Sequence, residues 1–164
     1  MLAGFPEELL DQASILVTGK QTQANLRRAV SAAYYALFHL LIRDTVAHWS
    51  NPNHYARLVR TFEHQRMKTA SVNMLRLLAS ETGNFDAALL AIREKLGLVA
   101  QGVVDLQQAR HKADYDIEEL LDAEDALLRV EQALNAFHTW KEIRHEDISQ
   151  AISIHCSSRI EPSS

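Results

Sequence analysis

One cysteine, Cys156, is all the chain has, so neither an intramolecular disulfide nor a cysteine-built zinc cluster is open to it. Five glycines and three prolines in 164 residues fall well below ordinary usage, about 7% and about 5%. Few chain-turning residues mean few turns, which disfavours a many-stranded sandwich or barrel and favours a handful of long helices. No apolar run approaches the roughly 18 residues of a membrane span. The first residues, with Glu7, Glu8 and Asp11, resemble no signal peptide. Positive charge is not in excess: 17 Lys and Arg face 21 Asp and Glu, a net −4, which excludes a generic nucleic-acid polycation. What is present, 47% apolar and 23% charged residues, suits an ordinary globular domain able to bury a core. The expectation is a cytoplasmic, single-domain, all-α protein.

The sparse punctuation nearly draws the map. Gly4 and Pro6 open a first helix that ends near Gly19, a natural left-handed stop. A second helix runs from Ala24 to Trp49 and breaks at Asn51-Pro52-Asn53. A third runs from about His54 to Leu78, closed by the polar stretch from Ser80 to Asn84, and a fourth from Phe85 to Lys112. Asp116 followed by Glu119 reads as a capping box, placing a fifth helix from Ile117 to Arg144. An all-α bundle of about five helices over residues 1–145 follows, with residues 146–164 as a partly disordered tail.

The fifth helix carries Leu120, Ala123, Leu127, Val130, Leu134 and Phe137 at alternating spacings of 3 and 4, widened by Leu121 and Leu128. Such a seam packs lengthwise on a neighbouring helix, within the bundle or across a dimer. The second helix is apolar on most sides and should be central. Its one polar stripe, Arg28, Ala32, Tyr35, His39 and Arg43, faces either a buried network or a cleft, because buried His and Tyr need partners. On the third helix Arg57, Arg60, His64 and Lys68 form a basic ridge at spacings 3, 4 and 4. It is either a solvated face or a phosphate track. Acids concentrate elsewhere: between His111 and Glu131 eight of them stand against Lys112 and Arg129.

Conventional catalytic signatures are missing. Among eight histidines no pair has the i, i+4 spacing of a helical zinc site, so no metal is expected. Neither a phosphate-cradling glycine loop nor a serine nucleophile elbow occurs, and no cofactor is expected. One residue stands out. Val99, Val103 and Leu106 form an inward stripe on the fourth helix, and its next position is Arg110. A guanidinium there must find a partner. It can complement the negative helix end, pair with Asp114 four residues on, or hold a phosphate with its planar fork.

The segment Ala29-Val30-Ser31-Ala32-Ala33-Tyr34-Tyr35-Ala36-Leu37-Phe38-His39, with Phe62-Glu63-His64 and Ala109-Arg110-His111-Lys112-Ala113-Asp114-Tyr115-Asp116, resembles the prokaryotic branch of HEPN domains. The name stands for higher eukaryotes and prokaryotes nucleotide-binding. The resemblance covers roughly Leu9 to Lys141. It implies an up-and-down helical homodimer that binds RNA or a nucleotide in a toxin–antitoxin or antiphage defence setting. Active members cleave RNA without metal, using an Arg followed after four to six residues by a His. Arg110 takes the Arg position, but Tyr115, Asp116 and Ile117 stand where the His belongs. That loss removes a proton-transfer group typically worth about 10²–10⁴-fold. His111 lies about 100° around the helix from Arg110 and is no simple substitute. The candidate catalytic residues are therefore Arg110, Tyr115 and His39. The candidate RNA or nucleotide contacts are Tyr35, Arg57, Arg60, His64, Lys68 and Asp114. The competing expectation is a non-catalytic dimeric interaction module for a nucleotidyltransferase or another defence protein.

Overall fold

A computed structural model describes residues 4–47, 64–80 and 87–145. The expected break at Asn51-Pro52-Asn53, the ridge residues Arg57 and Arg60, and the tail with Cys156 lie outside the described residues. So do the expected starts of the third and fourth helices. Within them the fold is all-helical: α1 spans Phe5–Thr18, α2 Gln23–Ala47, α3 His64–Ala79, α4 Ala87–Tyr115 and α5 Ala123–Ile143. No strand occurs among the described residues, and no helix there is long and apolar enough to cross a membrane.

Helix α2 is central, as its apolar circumference requires. It packs on α1, α4 and α5, while α3 packs chiefly on α4. Ala29, Val30, Ala33, Tyr34, Leu37, Leu40 and Ile42 are all buried, so α2 contacts neighbours on several faces rather than along one stripe. Gly4 takes a left-handed backbone, φ 97°, just before α1, with Pro6 in the first turn where its missing N–H costs nothing. Gly19 does end α1, but with φ −82°, so its stop is not the left-handed one expected.

The largest departure concerns α5. It begins at Ala123, not Ile117, because Asp122 is the N-cap: its carboxylate accepts from the N–H groups of Glu124 and Asp125. The Asp116–Glu119 capping box is not used. Residues 116–122 instead form a connection fastened to α2. The Gln23 side-chain amide both donates to Leu121 O (2.8 Å) and accepts from Leu121 N–H (2.9 Å). Arg27 donates to Ala113 O and to Glu119 O. The inner face of α5 is accordingly Ala126, Val130, Ala133, Phe137 and Trp140. Only Val130 and Phe137 are fully buried members of the expected leucine seam, while Leu120, Leu127 and Leu128 face outward. Small residues set this choice: a Cβ built on Gly102 of α4 would stand 3.0 Å from Ala136 Cβ, a separation that leaves no room for leucine.

At the other end of α2 an ion network joins three helices. Arg43 pairs with Glu7 of α1 (3.1 Å) and with Asp44 (3.1 Å). Asp44 also accepts from Trp140 Nε1 of α5 at 3.0 Å and meets Arg144 at 3.3 Å. Arg43 thus ties α2 to α1 while its neighbour Asp44 ties it to α5, and the polar stripe of α2 divides between two environments.

Candidate functional site

The other half of that stripe faces α4. Arg110 ends the buried line of Val99, Val103 and Leu106, and its side chain is only 14% exposed. Its Nη2 donates to Tyr35 Oη at 2.8 Å. Its Nε lies 2.7 Å from Asp114 Oδ2, an ion-pair contact whose angle falls short of a hydrogen bond. Asp114 in turn accepts from Ser31 Oγ at 2.5 Å. The guanidinium carbon sits 5.4 Å from the Tyr35 ring centre and 5.7 Å from that of Tyr115. Burial alone would lower the Arg110 pKa, but Tyr35, Asp114 and Tyr115 outweigh it and hold the pKa above its ordinary value. The result is a fixed cation flanked by two phenol rings.

Two histidines share Tyr35 with it. His64, the first residue of α3, brings Nδ1 within 2.8 Å of the buried Tyr34 hydroxyl. Its ring lies 4.4 Å from that of Phe38 and 5.5 Å from that of Tyr35. His39 stacks on Tyr35 at 6.1 Å and meets Phe5 edge-on at 5.2 Å. His39 Nδ1 is buried and finds no hydrogen-bond partner among the described residues. Burial lowers both pKa values, with His64 adding to the effect on His39 and Arg110 to that on His64. Both rings therefore favour the neutral form. Burial also pushes the Tyr34 phenol well above its ordinary range, so its hydroxyl stays protonated.

The expected site residues are thus sorted. Tyr35, His39, His64, Arg110, Asp114 and Tyr115 gather around one Tyr35 ring or its arginine. His64 turns onto the aromatic side chains of α2, and Lys68 one turn later is half-buried; the ridge they would form with Arg57 and Arg60 lies partly outside the described residues. Tyr34 and Ser31 belong to the site and were not singled out by spacing. The available signal was chemical: a hydroxyl on the most buried face of a central helix must find a partner. No cluster of metal-ligating side chains occurs among the described residues. A cavity of about 250 Å³ between α2, α4 and α5 is lined by Asp105, Lys112, Asp125 and Arg129. Its charges are largely matched internally, with Asp125 and Arg129 paired at 3.3 Å. No family model, curated protein or solved structure matches the chain.

A cation fixed between aromatic faces, with neutral imidazoles beside it, suits an anion attached to a flat ring. The guanidinium can bind a phosphate, the phenols can stack on a base, and the imidazoles can accept a proton.

Proposed function

We propose that the protein is a HEPN-like helical domain that binds RNA or a nucleotide at Arg110 in a toxin–antitoxin or antiphage defence setting. The observation that carries this reading is the bracketing of Arg110 by Tyr35 and Tyr115, with His39 and His64 against the same Tyr35 ring. Ribonuclease activity is the narrower form of the proposal, in which proton transfer falls to those two histidines in place of the missing motif residue. The proposal includes a homodimer. The α5 stripe of Val130 and Phe137 is spent inside the bundle, so the dimer uses another face.

The test is a titration of a short single-stranded RNA and of ATP by fluorescence anisotropy, beside light scattering for mass. Wild type should bind, and Arg110→Lys should weaken binding nearly as much as Arg110→Ala, because lysine lacks the planar fork. Unchanged affinity in folded Arg110→Ala removes the site from the proposal. A second reading, a non-catalytic interaction module for a nucleotidyltransferase or another defence protein, is favoured by one observation. Asp114 and Tyr35 already engage Arg110 from within the bundle.

A further inference from the structure

Nine large apolar side chains are strongly exposed among the described residues, and five of them fall between Tyr115 and Leu128. Ile117 and Leu120 are 78% and 77% exposed, and Leu127 and Leu128 stand out from the first turns of α5. Single exposed leucines are ordinary, but so many within one short stretch are not. Nor are they exposed because the segment lacks structure. Between the two outward residues and α5 lies Leu121, buried and clamped to Gln23 through both its backbone groups. Arg27 holds the carbonyls of Ala113 and Glu119, and Lys112 pairs with Glu119 at 2.6 Å. The connection is thus built to hold Leu121 in and Ile117 and Leu120 out. A surface already ordered loses little conformational freedom on binding.

The charge around these side chains selects what covers them. Between His111 and Glu131 there are eight acids and two cations. Both cations are already engaged, Lys112 by Glu119 and Arg129 by Asp125. Among the described residues Glu118 and Glu124 make no ion pair, and in sequence they flank the exposed Ile117, Leu120 and Leu127. A two-fold contact would place this surface on its own copy, acid against acid. A second copy is therefore the wrong occupant. We infer that this face docks a partner protein through an amphipathic basic helix, whose apolar side covers Ile117, Leu120 and Leu128 and whose Lys and Arg meet Glu118 and Glu124. This names the face that the interaction-module reading needs and rests on that reading, while leaving the Arg110 site to its own titration.

The experiment uses the full chain and three labelled synthetic peptides of about five helical turns. One has leucine on one side and lysine on the other, one replaces every lysine with glutamate, and one scrambles the first so that no apolar face forms. Affinity is read by anisotropy, and the footprint by amide chemical shifts in the isotope-labelled protein. The basic amphipathic peptide should bind, with shifts confined to about residues 115–131. Ile117→Ser with Leu120→Ser should weaken it at least tenfold, and Glu118→Lys with Glu124→Lys should do the same and admit the glutamate peptide. All four positions are exposed, so circular dichroism should be unchanged. Equal binding of the scrambled peptide, a footprint elsewhere, or no binding overturns the inference. So does a wild-type dimer that Leu120→Ser disperses, which makes the occupant a second copy. RNA binding by Arg110 variants is measured separately, so either reading can fail alone.

Discussion

Arg110 joins Tyr35, Asp114 and Tyr115, so its removal should be felt in stability as well as in binding. A fully buried ion pair broken on one side costs about 3–5 kcal/mol. Asp114 keeps 29% of its side-chain surface in solvent and retains the Ser31 hydroxyl, so the cost of Arg110→Ala should be nearer about 1–2 kcal/mol. For a domain of this size that lowers the melting temperature by roughly 2–8 °C. Arg110→Lys, which keeps the charge but not the bond to Tyr35, should lose less. Thermal unfolding of the two variants settles it, and an Arg110→Ala protein as stable as wild type would show the pair contributes nothing. Tyr34→Phe is the complementary case. It keeps the packed ring and removes only the hydroxyl beside His64 Nδ1, a loss of about 1 kcal/mol. The sequence could reveal Arg110 because it interrupts an apolar stripe, and Asp114 because it lies one turn on. It could not reveal that Tyr35 and His64 meet there. They come from helices far apart in the chain, and periodicity places a side chain on a face without saying which helix covers that face.

Helix boundaries followed the same logic with one failure. The start and end of α1, the start of α2 and, to within three residues, the C-terminal end of α4 were legible, since glycine, proline and the onset or end of an apolar period mark them. The start of α5 was not, because Asp116 and Asp122 are both plausible caps and only packing separates them. Starting at Asp116 would carry Leu121 away from Gln23 and turn leucines toward the contact that Gly102 and Ala136 keep narrow. Leucines dominate the periodic pattern of this stretch, but Ala126, Ala133 and Ala136 are what the core accepts. Asp122→Ala should therefore cost about 1 kcal/mol through loss of the cap to Glu124 and Asp125. Asp116→Ala should stay within about 0.5 kcal/mol, as an exposed residue outside any cap. Chemical denaturation of the two single variants distinguishes the boundaries; equal costs would return the helix start to Ile117. Gly102→Ala tests the packing argument on the facing helix. Alanine favours a helix by about 1 kcal/mol, but its Cβ would meet Ala136 at 3.0 Å, and two helix backbones must part to admit it. The expected outcome is a net loss of stability.

The bundle is tied together at two places whose protonation differs, and this gives the whole molecule a pH signature. Around Tyr35, His39 and His64 are held below their ordinary value of 6.5, by burial first and then by neighbouring charge. The unfolded chain then takes up protons at a higher pH than the folded one. Stability should be fully present above about pH 6.5 and fall as pH drops through the lowered folded values. At the ion network of Arg43, Glu7 is held below its ordinary 4.5: burial would raise it, but its backbone hydrogen bond, Arg43 and Lys141 outweigh that. The Glu7 contribution is therefore present above about pH 4.5 and lost only in stronger acid. Two descents separated by a shoulder should appear when melting temperature is followed from pH 8 to pH 3. His39→Gln combined with His64→Gln should abolish the upper descent and leave the lower one, whereas Glu7→Gln should flatten the lower one alone. An upper descent that persists unchanged in the double glutamine variant would mean the two histidines do not fold neutral, and with that the imidazoles would lose their standing as proton acceptors beside Arg110.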